Sequence, residues 1–182
     1  MERKLEQRDV TGYLPYDLKM YAGKIEGTEL IYPVLGLQND GRILTYVNGE
    51  DDSFGTAYFD VDGIRLILRP ESDMYRTITH NGEEIIPIVE LAKISMNCVV
   101  SGEWILDEDG EAINEECELA FGYNWAGGDF YCYSTRRAGD FYTPRFQHRL
   151  FDYLHELKID YRGLINAGLA ISVYDLDTNP YK

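Results

Sequence analysis

The feature that most constrains this chain is its C-terminal block, Thr143 to Asp175. Thr143-Pro144 carries helix-start chemistry: a hydroxyl to cap free N–H groups, then a proline whose missing N–H costs nothing at the first helical position. Phe146, Leu150, Leu154 and Leu157 follow at spacings of four, four and three, with Phe151 alongside. That pattern predicts a helix of about three turns with one apolar side. Asp160 is placed to cap a second, shorter helix carrying Leu164 and Ile165, and Gly168 suits a left-handed stop. Leu169 to Val173 reads as a strand or a buried extended tail. A segment this apolar belongs in a core.

Upstream, the pattern is mostly that of strands. Residues 1–12 carry charge and little apolar pattern, so a loose start is expected. Tyr13 to Tyr21 contains Pro15, which points to a short turn leading into an edge strand. Glu29 to Leu37 and Arg42 to Val47 are β-rich runs flanking Gln38-Asn39-Asp40-Gly41, which has hairpin-turn chemistry. Phe54 to Val61 and Ile64 to Leu68 read as further strands. Ser72-Asp73 can cap a short helical turn, Asn81-Gly82 is a second turn, and Pro87 starts a helix with Ile88, Leu91 and Ala92 inside. Cys98 to Leu106, Cys117 to Tyr123 and Asp129 to Ser134 predict an antiparallel meander. Its connections are Asp107-Glu108-Asp109-Gly110 and a flexible Asn124 to Gly128.

A length of 182 residues suits a single domain spanning residues 1–182, and 45% apolar residues can fill a core. The 15 Tyr, 7 Phe and 2 Trp favour sheet over helix. The expected class is α+β: a largely antiparallel sheet, with a C-terminal helix pair and one or two short helices packed on it.

The net charge of −15 works against binding to nucleic-acid phosphates or to anionic lipid. No apolar run reaches the roughly 18–20 residues that span a bilayer, and Met1 to Glu6 lacks a signal peptide's apolar core. A cytoplasmic protein with no membrane partner is expected. Cys98, Cys117 and Cys132 fit neither a zinc spacing nor a disulfide framework, so reduced, partly buried thiols are expected.

Several stretches carry a resemblance: Tyr13-Leu14-Pro15-Tyr16 with Leu18-Lys19, Leu68-Arg69-Pro70 with Ser72-Asp73, Asn81-Gly82-Glu83, and Gly163-Leu164-Ile165 with Gly168 to Ile171. In these the chain resembles small uncharacterised prophage and mobile-element proteins of Bacteroides-type bacteria. The resemblance implies a mobile-element origin and carries over no activity and no site residue. Residues 22–60 and 98–145 lie outside it.

Three regions hold candidate chemistry. From Glu103 to Glu118 there are eight acidic residues and no Lys or Arg, so more than half of the net charge lies in 16 residues. This run predicts a surface for a basic protein partner, with Glu108, Glu111, Glu115 and Glu116 as its binding residues; the plain alternative is a solvated hairpin that keeps an edge soluble. Asp107, Asp109, Glu111 and Glu118 match the first, third, fifth and twelfth places of a calcium loop, but Ala112 stands where that loop needs glycine. The second region gathers Arg69, Asp73, His80 and Glu83 around two turns, a weak catalytic candidate for acid–base chemistry or for holding an anion. Its plain reading is Asp73 in a first helical turn with Arg69 as its ion-pair partner. The third is His148, Asp152 and His155 on the C-terminal helix. The two histidines there are separated by about 10.5 Å of helical rise, too far to share one metal.

No metal site is expected. The chain has no Walker phosphate loop, dinucleotide fingerprint or Gly-x-Ser-x-Gly elbow, and no cofactor is expected. Arg136, Arg137, Arg145 and Arg149 interleave with Phe141, Tyr142 and Phe146 in a way that can grip single strands, against the overall field. The leading expectation is therefore an accessory protein that binds a macromolecular partner. The alternatives are a hydrolase or nuclease-like enzyme built on Arg69, Asp73, His80 and Glu83, and a homo-oligomeric structural or assembly component joined through edge strands.

Overall fold

The computed structural model describes residues 3–48, 54–96, 102–137 and 139–181. The chain is an α+β protein of mostly antiparallel sheets. It divides into two compact units, Met1–Pro70 with His155–Tyr181, and Glu71–Leu154.

The first unit begins with a short helix, α1 (Gln7–Val10). The chain start is therefore ordered from this point: Val10 is fully buried, and Asp9 ties the region down by pairing with Arg3 at 2.9 Å. A turn containing Pro15 leads into β1 (Lys19–Ile25), which pairs antiparallel with β2 (Thr28–Pro33). β3 (Gly36–Leu37), β4 (Arg42–Asn48) and β5 (Phe54–Asp60) form a second antiparallel sheet, and the 38–41 turn closes the β3–β4 hairpin. β6 (Arg65–Leu68) returns to the first sheet, and the tail strand β14 (Ala170–Ser172) lies parallel beside it, giving the order β14-β6-β1-β2.

β1 is thus an interior strand, where an edge strand was expected. Pro15 falls in the preceding turn, so every N–H that the ladder needs is still present. Met20, Leu66, Leu68, Leu164 and Ala170 meet Val10, Tyr13 and Leu18 in the unit's core. The Asp160 carboxylate accepts the N–H groups of Leu164 (2.8 Å) and Ile165 (2.7 Å), capping the turns before the tail strand. Gly168 takes the left-handed conformation that the sequence predicts there, with φ 73°.

The second unit opens on a 3₁₀ turn (Glu71–Tyr75) and the hairpin of β7 (Ile78–His80) and β8 (Glu83–Ile85). Helix α2 (Pro87–Met96) buries Ile88, Leu91 and Ala92 as its spacing predicts. A five-stranded antiparallel meander follows: β9 (Ile105–Leu106), β10 (Ala112–Asn114), β11 (Leu119–Asn124), β12 (Asp129–Ser134) and β13 (Phe141–Tyr142). β10 has no counterpart in the sequence reading, and Cys98 lies outside the described residues. The Asn124 to Gly128 connection is a tied turn. The Asn124 side-chain oxygen accepts from Ala126 N and Gly127 N, both at 3.1 Å.

Helix α3 (Gln147–Glu156) carries the buried Leu150 and Leu154, and the buried Leu157 follows its end. Phe146 departs from the expected stripe. It is 42% exposed, with φ 57°, and stands just before the helix. The start shifts past Thr143-Pro144 because buried Ser95 claims both backbone groups of Arg145. Ser95 Oγ accepts from Arg145 N at 3.1 Å and donates to its carbonyl at 3.3 Å. Phe146, in the left-handed region, then breaks the run, so the helix opens only after it.

Candidate functional site

The meander of the second unit places two tyrosines on one strand face. Tyr131 and Tyr133 are two apart on β12, so both point the same way, and Cys132 points to the other side into the core. Burial raises the Cys132 thiol to about 11, as suits a packing residue rather than a nucleophile. Tyr131 lies directly opposite Gly122 on β11. A side chain at Gly122 would collide with the Tyr131 ring, so glycine here lets the ring lie across the strand.

Glu111 precedes Ala112, which pairs with Phe121, and so falls in the same cross-strand row as Gly122 and Tyr131. Its two oxygens accept the Tyr131 hydroxyl at 2.7 Å and the Tyr133 hydroxyl at 2.6 Å. Charge-assisted bonds of this kind are short and strong. They also resist loss of the phenol protons. Tyr131 is raised well above its ordinary range, by burial first and then by Glu111; Tyr133 is pushed up to about 12, by its bond to Glu111 first and then by burial.

Around this group is an open cleft of about 510 Å³, lined by Tyr75, Tyr123, Trp125, Tyr131, Tyr133, Asp109, Gly110 and Glu111. Trp125 Nε1 donates to the Tyr75 hydroxyl at 3.0 Å, and the Trp125 ring meets Tyr123 edge-on at 4.7 Å. Asp107 folds the floor: its Oδ1 accepts from the backbone N–H groups of Asp109 (3.0 Å) and Glu111 (2.8 Å). Gly110 completes this turn at φ 83°, with the Tyr75 ring in contact distance of where a β-carbon would stand.

The acidic run is therefore divided in space. Glu108 is exposed on the turn beside the cleft, whereas Glu115 and Glu116 are exposed on the turn at the far end of β10. Residues 111–114, the extended stretch between the two turns, span about 13 Å, more than one Debye length at physiological salt, so the two groups act largely as separate charges. Glu111 is a half-buried acceptor held by two phenols, not the solvated carboxylate of an outer face. Glu118 pairs with Arg136 at 3.4 Å. The carboxylates that matched a calcium loop thus have different neighbours, and no group of three His, Cys, Asp or Glu among the described residues is arranged to hold a metal ion.

The other predicted residues have structural neighbours. Asp73 is fully buried in the 3₁₀ turn and accepts from Arg76 Nε at 2.7 Å and from its Nη2. Arg76, three residues along a helical turn, was a visible signal that the sequence reading missed. Arg69 is buried at the end of the first unit, where its backbone bridges to Ile159. His80 and Glu83 face each other across the Asn81-Gly82 turn. His148 and Asp152 are exposed on α3. His155 is buried in the first unit, bonded at 2.7 Å to the Tyr161 hydroxyl and packed edge-on against Tyr13.

No helix among the described residues is long and apolar enough to cross a membrane. No family model matches the chain, and no curated protein or solved structure is similar to it.

Proposed function

We propose that this protein binds a basic macromolecular partner, and that the contact centres on the 107–111 turn of the second unit. The observation that carries the reading is the pairing of Glu111 with Tyr131 and Tyr133 at an open, aromatic-lined cleft. A carboxylate held there by two phenols keeps its position. Exposed Glu108 and Asp109 extend the negative field outward, and such a field speeds encounter with a cationic surface. Glu115 and Glu116 form a second, outlying charge.

We read the protein further as a cytoplasmic accessory protein of a phage or mobile element. That origin rests on the resemblance at both ends and the middle of the chain, and the location on the cysteine spacing and the charge balance.

The test is capture of partners from a bacterial lysate by wild type and by a Glu108→Gln, Glu115→Gln, Glu116→Gln variant, at low and at high salt. The expected partner is basic; it associates more slowly with the variant, and the difference closes as salt rises. Equal association at low salt would reduce these carboxylates to a solubility device.

A further inference from the structure

Resting on that reading, we propose that the Tyr75/Trp125/Tyr131/Tyr133 cleft takes an arginine side chain of the partner as its anchor. Five aromatic rings and two carboxylates line the space, and no Lys or Arg among the described residues does. Elsewhere the chain lays its own cations over its own rings: Lys158 lies 5.0 Å from the Tyr181 centroid, and Arg42 lies 5.1 Å from that of Tyr58. In this cleft the platform is present and the cation has to come from outside.

The hydrogen-bond inventory selects the class of ligand. The protons of Tyr131, Tyr133 and Trp125 are already given to Glu111 and to the Tyr75 hydroxyl. Ring faces, carboxylate oxygens and the proton of the Tyr75 hydroxyl remain, so the lining accepts more than it donates. A sugar needs donors as well as acceptors; a guanidinium has five N–H donors and no acceptor. Donation of the phenol protons to an anion also makes the Tyr131 and Tyr133 rings more electron-rich, which strengthens their hold on a cation. Arginine suits this lining better than lysine because its planar head is weakly hydrated, stacks on rings and forks onto a carboxylate such as Asp109.

With two tryptophans in the chain, the indole N–H of Trp125 can be followed by NMR beside that of buried Trp104. A short neutral peptide with one central arginine should move the Trp125 signal saturably and leave Trp104 in place. The matching citrulline peptide keeps the shape and loses the charge, and should bind about tenfold more weakly or worse. Asp109→Asn should weaken the arginine peptide several-fold, and the lysine peptide should fall between arginine and citrulline. Equal binding of citrulline would overturn the proposal, as would a neutral glucose oligosaccharide moving the Trp125 signal while the arginine peptide does not. If the arginine peptide fails but the three-Gln variant still loses its lysate partner, the anchor is wrong and the binding function stands. If the arginine peptide binds and the variant keeps its partner at low salt, the cleft stands and the charged-surface reading falls.

Discussion

Both units contain tyrosine, and the partners of two hydroxyls in each set them apart. In the first unit Tyr13 is fully buried and donates to the Ile159 carbonyl at 2.9 Å. Tyr181 donates to the Ile67 carbonyl at 2.9 Å and accepts the Lys19 N–H. Burial raises both phenols, so neither ionises at ordinary pH. These hydroxyls bond backbone groups inside the unit, and their work is structural. In the second unit Tyr131 and Tyr133 send their hydroxyls to one carboxylate at an open cleft. No backbone group depends on those bonds. The difference teaches that residue type alone does not mark a site: a phenol on a backbone carbonyl holds a fold together, and phenols gathered on a side-chain anion hold a charge ready for a ligand.

The largest effects belong to the apolar cores, which the tyrosine contrast leaves out. Leu154→Ala, at a fully buried position of α3, should destabilise the protein by about 2–5 kcal/mol in denaturant unfolding. An unchanged midpoint would detach the helix from any core. The contrast itself is tested by two smaller changes. Tyr13→Phe takes one of two donors from the buried Ile159 carbonyl, which keeps the Tyr161 N–H at 3.0 Å, and should cost about 0.5–1.5 kcal/mol. Tyr133→Phe leaves a half-exposed carboxylate that water can serve, so its cost should stay below about 0.5 kcal/mol while arginine-peptide binding weakens. Equal stability costs would erase the distinction between the two units.

How much of this was legible depended on whether the controlling contact was local. The stripe of Leu150, Leu154 and Leu157, the Asn81-Gly82 and 38–41 turns, and the Gly168 stop follow from spacing and backbone preference, and they are where the sequence placed them. The false helix start at Thr143 failed because Ser95, fifty residues away, holds Arg145, and no local pattern encodes that bond. β1 looked like an edge strand until Pro15 proved to lie before it. In the acidic run, eight carboxylates in sequence suggested one surface; a three-residue strand, β10, splits them between its two ends. The cleft was half legible. Alternation at Tyr131-Cys132-Tyr133 already put two phenols on one face, but the register that brings Glu111 beside them exists only once β10, β11 and β12 are aligned.

The titration of Tyr133 sharpens the comparison without touching the fold at neutral pH. Its pKa of about 12 stands above the ordinary tyrosine value of about 10, chiefly through the Glu111 bond. A raised folded pKa means that the stability contributed is complete below about pH 10 and is lost as pH rises through 12. Tyrosinate absorbance should show Glu111→Gln ionising one phenol earlier than wild type, because the carboxylate that opposed the second negative charge is gone. If the Gln variant titrates like wild type, Glu111 does not hold these phenols.

The smallest effect expected is on the outer charges. Glu108, Glu115 and Glu116 are exposed on turns, and solvated carboxylates contribute little to folding. Their combined replacement by Gln should move stability by less than about 0.5 kcal/mol, with a slight gain at low salt as repulsion within each turn is relieved. The two turns lie farther apart than the screening length, so their effects on stability should add. Glu108→Gln alone should reduce the encounter rate of a basic partner at the cleft more than Glu115→Gln and Glu116→Gln together, since it alone stands on the 107–111 turn. If the far pair dominates instead, the charge that steers the partner lies at the other end of β10, and the cleft is not where the partner first arrives.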